Sequence, residues 1–474
     1  MSRPLGWTLA AGASVAGVVA ACWWQPVTRA AARPPAIVLD GVTLLTPGLA
    51  RLEHRRIVVR GDRIAEISGS SRPAETGGRF VLPGLIDMHV HFPPRIPATL
   101  VDLWSTLLLL HGVTTIREVG SLDGSGFALR RQIARGDRIG PRIFACGPVL
   151  DGDPPTWPIA RAVTSAAEAE RLVEELFARG ADCIKVYDGL PAELRAATRS
   201  AAQRRGLPLV GHMPRGGGWE EHGLDDIQHL CHPRCGDLAD EDLAELVRRS
   251  AQDGVAHTPT LVVLAGQALL YAFAAQVDAH PYRLLPRFWR EALWHPDRAI
   301  GFVPAPAGHD VALREQKRAA VEGMERLVRR LHEGGVRLHV GTDPIQPFVV
   351  PGASVHRELE LLVESGLDVE EALAAATWVA GESLGKPGLG RLEVGAPADL
   401  IVLREDPTRK LANLLTIEAV VADGRWYPVE ALRSALKTEQ SYFERAAVDL
   451  PLRALAHGAM RISRSSYARA GTLQ

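Results

Sequence analysis

The sequence predicts an α/β protein, a (β/α)8 TIM barrel with a small β-sandwich built from both ends of the chain. Three observations predict it. Short apolar runs of strand character alternate with helical stretches through the middle of the chain. Two β-rich pieces with Asp-Gly and Gly-Asp turns flank that middle. The length, 474 residues, suits one large barrel plus a smaller module.

The elements follow in order. Residues 1–35 stand apart: Arg3 precedes an uncharged stretch from Pro4 to Pro26, long enough for a signal segment or one spanning helix. Within it Val19-Ala20-Ala21-Cys22 resembles a bacterial lipoprotein box, with Cys22 as the lipidated residue; an uncleaved anchor, or cleavage after the Ala30–Ala32 cluster, are the alternatives. The expected location is therefore periplasmic or at the cell envelope, exported or membrane-anchored. Residues 36–80 (AIVLDGVTLL, RRIVVRGDRIAEI) form the first part of the sandwich, and 386–430 (GRLEVGAPADLIVL, IEAVVADGRWY) the second. Residues 431–474 are a C-terminal extension.

The barrel spans 81–385. Its eight strand candidates are LIDMHVHF, GVTTIREVG, RIFACGPVL, DCIKVYDG, LPLVGHM, DDIQHLC, HTPTLVV and RLHVGTDP, separated by helical stretches such as AAEAERLVEELFARG. The connection from 264 to 335 is long and aromatic, with Tyr271, Phe273, Tyr282, Phe288, Trp289 and Trp294. It is either a lid or a helical hairpin used in packing or self-association, which would make the chain a homo-oligomer.

Composition sets limits. With 54 basic and 55 acidic residues the net charge is −1, so no electrostatic footprint for nucleic acid exists. Of five cysteines, Cys231 and Cys235 frame CHPRC; they pair in an oxidising compartment or are simply buried, the second being the plainer reading. A structural metal site with His232 lacks a second ligand pair.

In such a barrel, active-site groups sit at the C-terminal ends of strands. Those positions carry His89 and His91 on the first strand, Lys185 on the fourth, His212 on the fifth, His229 on the sixth and Asp343 on the eighth. Period-two alternation puts His89 and His91 on one face. Imidazole and carboxylate suit zinc or a similar divalent ion. A lysine among them is unusual. Burial beside positive charge favours its neutral amine, which can form an anionic carbamate bridging two ions; an ion pair with Asp182 or Asp188 is the alternative.

With these residues, the chain resembles the amidohydrolase superfamily, specifically its binuclear branch with one carboxylated lysine. FVLPGLIDMHVHF is similar to the first-strand signature, and KVY, GHM, IQHL and GTD occur in the family's order. HGVTTIREVG, GHMP, PTL and HRELELLVESGLDVEEALAAATWVAG resemble the imidazolonepropionase-like group, which includes Xaa-Pro dipeptidases. The resemblance implies two divalent metal ions, zinc by preference. His89, His91 and Asp343 would hold one and His212 and His229 the other, with carboxylated Lys185 bridging. It implies a hydroxide nucleophile between the ions, Asp343 as proton shuttle and Tyr187 as a hydrogen-bond donor to the oxyanion. The implied reaction is cleavage of a C–N amide bond in a small-molecule or dipeptide substrate: Xaa-Pro, an N-acyl amino acid or a cyclic amide.

Departures exist. The Gly-Gly-His segment common after the third strand reads GPVLDGDPPTWP here, which shifts recognition toward Trp157, Arg161 or the aromatic insertion. Gln228 stands where Glu often precedes the sixth-strand histidine, and alternation directs it away from the metals. His356 lines the mouth or caps a helix. Competing readings are a lactone or phosphoester hydrolase, a mononuclear deaminase (for which GHMPRGGG supplies no glutamate), and an inactive binding scaffold, which would be expected to lack ligands.

Overall fold

The computed structural model describes residues 25, 27–48, 51–71, 78–93, 100–121, 124–156, 160–214, 222–230, 239–296 and 311–456. Cys22, Trp157, Cys231 and Cys235 lie outside these residues.

Alternating, β-branched segments at both ends build one sheet. β1 (Ile37–Leu44), β2 (Leu52–Arg60) and β3 (Arg63–Gly69) form an antiparallel meander. β4 (Phe80–Pro83) runs parallel to β1 and antiparallel to β14 (Leu400–Leu403), which continues into β15 (Ile417–Ala422) and β16 (Arg425–Pro428). The order is β16-β15-β14-β4-β1-β2-β3, so strands from both chain ends meet across β4. One buried face of Ile37, Leu39, Ile57, Val59, Val81, Leu400, Val402 and Val421 holds it together. Two tight turns abut. At Gly424 (φ +69°) an added Cβ would lie 1.7 Å from the Gly61 carbonyl oxygen, so only glycine fits.

Gly84 alone separates β4 from β5 (Leu85–Val90), so this sheet delivers the strand that carries His89. From there the strands are parallel, and most of them are buried on both faces, as expected where helices cover them. β5, β6 (Val113–Glu118) and β7 (Arg142–Ala145) form one set. β8 (Leu150–Asp151), β9 (Arg161–Ala162), β10 (Ile184–Val186), β11 (Leu209–Gly211), β12 (Asp226–Gln228) and β13 (Ala256–Thr258) form the other, ordered β13-β12-β11-β10-β8-β9. Backbone bonds join the two sets at both seams. Asp182 N donates to Ala145 O on one side. On the other, residues 337–343 lie between β13 and β5, with His257 N donating to Arg337 O, Met88 N to Val340 O and Asp343 N to His89 O.

This last segment is expected to be the eighth strand, yet it makes only an isolated bridge, Leu338 to His257. The segment ends at Asp343, whose φ of +53° no extended strand accommodates.

Helices cover the outside. The helix Ala166–Ala178 starts where Ser165 accepts from Glu168 N and buries Leu172, Val173 and Leu176. Asp368 and Glu371 form a capping box on Val369–Ala375. In the long insertion the structure describes short helical turns and the helix Val311–Glu333. Two of its tryptophans are packed inward: Trp294 against Phe348 (ring centroids 5.3 Å), and Trp289 edge-on to Trp104 (5.5 Å). No helix among the described residues is long and apolar enough to cross a membrane.

The disulfide joins Cys146 and Cys183, buried with Val119 and Val210, across the seam where Asp182 meets Ala145. Nothing in the sequence singles out that pair.

The buried Glu358 fastens the start of the helix Leu261–Leu269 by accepting from Leu261 N (3.0 Å) and Val262 N (2.7 Å). Replacing Glu358 by Leu strands both donors. Stability in urea unfolding should fall by about 1–3 kcal/mol, and a midpoint like the parent's would contradict this role.

Candidate metal centre

The strand ends converge. Asp87, His89 and His91 share one face of β5 by alternation. The His89 and His91 Nε2 atoms lie 3.2 Å apart, and with a carboxylate oxygen of Asp343 they form a group able to hold a metal ion, each ligand atom within 4.8 Å of the others. His229 packs on His89 (ring centroids 4.4 Å) and on His212 (4.8 Å), and its Nε2 is 3.9 Å from Asp343 Oδ2. Lys185, fully buried, interacts electrostatically with His89, His91, His212 and Asp343. The structure thus brings together all six residues singled out from the sequence. Tyr187 is half-buried with its ring 4.1 Å from that of His212. His356 bonds the His111 carbonyl and stands outside the group. Arg161, a candidate for recognition, is committed to Glu175.

The hydrogen bonds decide the imidazole tautomers. His91 Nδ1 faces the Gly120 carbonyl at 2.8 Å, an acceptor only, so Nδ1 carries the proton. His89 Nδ1 faces Gln228 Oε1 at 2.6 Å. Both Nε2 atoms are then bare lone pairs facing each other, an arrangement that repels until a cation lies between them. Burial, reinforced by Lys185 and the crowding of other imidazoles, pushes His89 and His212 well below the usual histidine range, which keeps them in the neutral form that ligates. His229 is oriented by Thr260, whose Oγ1 lies 2.6 Å from Nδ1.

At this centre the buried Lys185 Nζ, Asp343 Oδ1 and Gln346 Oε1 lack hydrogen-bond partners among the described residues. Burial lowers the Lys185 ammonium to about 7 and raises the Asp343 carboxyl. Neither alternative partner holds the lysine by a hydrogen bond; Asp182 instead pairs with Arg130 at 2.5 Å. An amine and a carboxylate oxygen left bare beside facing imidazole lone pairs form a donor set that fits divalent ions.

Backbone strain concentrates here. His229 (φ +59°), Leu230 (+57°), Thr260 (+52°) and Asp343 (+53°) all adopt left-handed conformations, each costing on the order of 1–3 kcal/mol. At Gly341 an added Cβ would lie 2.8 Å from His89 Cβ and 2.4 Å from Thr258 Cγ2, so glycine permits the approach of Asp343 to β5.

Sequence reasoning overlooked one contributor and misdirected another. Asp87 accepts from the backbone of His89 and Thr342 (3.1 Å each) and from Thr342 Oγ1 (2.5 Å), clamping the His89 strand to the Asp343 turn; burial raises its carboxyl to about 7. A carboxylate two residues before His89 in an apolar strand was the available signal. Gln228, expected to point away from the metals, is buried against His89. The expectation fails because β12 ends at Gln228 and the chain turns into αR-excluded, left-handed backbone at His229, breaking the alternation.

The fold and this ligand cluster suit a metal-dependent hydrolase. The chain belongs to the amidohydrolase family, whose sequence model matches residues 80–427, and that membership makes it a hydrolase acting on carbon–nitrogen bonds. It is 27% identical over 403 residues to the imidazolonepropionase of Methylobacterium sp. (strain 4-46), covering 76% of this chain and 88% of that enzyme. A shorter match, 28% over 205 residues, spans 39% of this chain and only 33% of adenine deaminase 3 of Rhizobium johnstonii. Among solved structures, bottromycin amidohydrolase superposes with a TM-score of 0.68 at 26% identity, covering 90% of this chain and 93% of that one.

Adding zinc to metal-free protein should raise its melting temperature. Ligand at 100 Kd contributes about 2.7 kcal/mol, a shift of a few degrees. His89→Ala should abolish the rise, and an equal rise in that variant would remove His89 from the ligand set.

Proposed function

We propose that this chain is a binuclear metal-dependent amidohydrolase cleaving the C–N amide bond of a small substrate. The candidates are a dipeptide such as Xaa-Pro, an N-acyl amino acid or a cyclic amide. The observation that carries the reading is the pair of bare Nε2 atoms 3.2 Å apart beside an unpartnered Lys185 Nζ and Asp343 Oδ1. The backbone bonds at both seams of the parallel strands support a closed (β/α)8 barrel around this centre. Strands from both chain ends support a sandwich-like module beside it.

In this reading His89, His91 and Asp343 would hold one ion and His212 and His229 a second, with Lys185 as a shared ligand. Lys185 would serve as a carbamate: its neutral amine nitrogen bonds to the carbon of CO2 and gives up a proton to solvent, leaving an anionic group with two oxygens. The divalent ions, zinc by donor type, would supply an activated water and polarise the scissile carbonyl. Asp343 Oδ1 takes the water's proton and returns it to the leaving amine nitrogen, a task that suits a carboxylate without a hydrogen-bond partner there. The Tyr187 hydroxyl donates to the developing oxyanion from its seat on His212. The same centre would serve a lactone or phosphoester hydrolase, which is the second reading.

Elemental analysis of active protein should find two ions per chain. A panel of Xaa-Pro dipeptides, N-acyl amino acids, lactones and phosphoesters should show amide hydrolysis first. Asp343→Ala should lower kcat by about 10²–10⁴-fold with the fold intact; near-parental turnover removes Asp343 as proton shuttle, and activity confined to lactones or phosphoesters selects the second reading.

We also propose export, with processing ahead of Gln25 and Cys22 as the lipidated residue. The buried disulfide supports an oxidising compartment. The segment after the leader is part of the body: Thr28 N donates to Asp102 Oδ2 (3.2 Å), Thr28 Oγ1 to Glu439 (2.9 Å), Ala30 N to Gly136 O, and Arg33 pairs with Asp423. Cleavage after Ala30–Ala32 would discard Thr28 and leave Glu439 without it, which argues against that alternative. The mass of the mature protein should correspond to a chain beginning at Cys22 with added lipid; an unmodified full-length chain in the cytoplasm contradicts the proposal.

A further inference from the structure

Resting on the metal reading above, we propose that Gln228 is a positioning residue that sets the His89 tautomer and so the affinity for metal, through an amide whose orientation Asp226 fixes. Gln228 Oε1 faces His89 Nδ1 at 2.6 Å, and Gln228 Nε2 donates to Asp226 Oδ1 at 2.7 Å. A carboxamide has one donating and one accepting end. Which end meets His89 is therefore decided at Asp226.

Asp226 is held from three sides. Arg117 donates to its Oδ2 (2.6 Å), the His339 Nδ1 contacts the same oxygen (2.9 Å), and the Thr258 hydroxyl donates to the carboxylate (2.9 Å). Arg117 Nε also donates to the Met88 carbonyl, one residue before His89, so the network grips the ligand strand through backbone as well as side chain. His339 is anchored in turn by Ser383 (2.8 Å). An ionised Asp226 can only accept, so the Gln228 amide presents its NH2 to Asp226 and its oxygen to His89. His89 must then carry its proton on Nδ1 and leave Nε2 bare toward His91; the other tautomer would set two lone pairs against each other at 2.6 Å.

The relay is neutral by construction. A glutamate at 228 could still accept from His89, but it would face the Asp226 carboxylate at hydrogen-bond distance with no proton between them. Asp226 and Gln228 therefore act as one unit, in which Arg117 balances the charge of Asp226 and Gln228 passes on only its direction.

Histidine ¹⁵N spectra of the metal-free parent protein, with the His89 signal identified by its loss in His89→Ala, should show Nδ1–H for His89. A Gln228→Met variant should lose that preference and should surrender half its zinc at a chelator concentration about 10- to 100-fold lower. Gln228→Glu, whose side chain still accepts from His89, should keep the Nδ1–H form. An Nε2–H signal in the parent, or half-release within twofold of the parent in Gln228→Met, overturns the relay. A variant that does not fold leaves the decision to the parent spectrum. A parent that takes up no zinc at all refutes the metal reading instead, whatever its spectrum shows.

Discussion

The structure depends on one constraint: four imidazoles, an amine and a carboxylate are concentrated where an apolar interior would otherwise close. Burial pushes His89, His91 and His212 toward neutrality, and neutral imidazole is useful only if the correct nitrogen is free. The surroundings are arranged to that end. Gly120 offers His91 a carbonyl, Gln228 offers His89 an amide oxygen, and Thr260 offers His229 a hydroxyl. Each partner sits on a different strand or the turn after one. The parallel strands must therefore be in register before any histidine is correctly disposed, and folding and site assembly are one event.

The same dependence reaches outward. The seven-stranded sheet, closed from both chain ends, hands the chain to β5 through Gly84. Glu358 pins the first amides of the helix that follows Thr260, so an outer helix steadies the turn that orients His229. Asp87 ties Thr342 to His89 and closes the seam at which Asp343 turns inward. These contacts explain how left-handed backbone at His229, Thr260 and Asp343 persists: each strained residue is held by at least one bond from a neighbouring element.

Much of this was legible from residue type and order. The alternation of strand and helix, the β-rich ends and the ligand-type residues at successive strand ends could be read because each is a local pattern with a period or a position. The rest was hidden for physical reasons. Residues 337–343 have strand composition but bend at Asp343, and no propensity announces a left-handed aspartate. Gln228 was assigned to the wrong side because alternation holds only while the strand continues, and β12 stops there. Cys146 and Cys183 lie 37 residues apart in sequence and meet only because two seam strands do. Asp87 was visible as a charge in an apolar run, yet its partner Thr342 is 255 residues away.

Two polar layers lie within a few ångströms of each other, and the contrast between them bears on what the upper one is for. In the lower layer Arg117, Asp226, Gln228, Thr258 and His339 satisfy one another in a closed set of hydrogen bonds. In the upper layer Lys185 Nζ, Asp343 Oδ1 and Gln346 Oε1 are buried without partners, and two imidazole lone pairs face each other. An unpaired buried polar atom costs about 1–3 kcal/mol, and such atoms occur elsewhere in the chain as well. What distinguishes the upper layer is that they stand beside facing imidazole lone pairs where the strand ends converge, a donor set to which the proposed ions would supply partners.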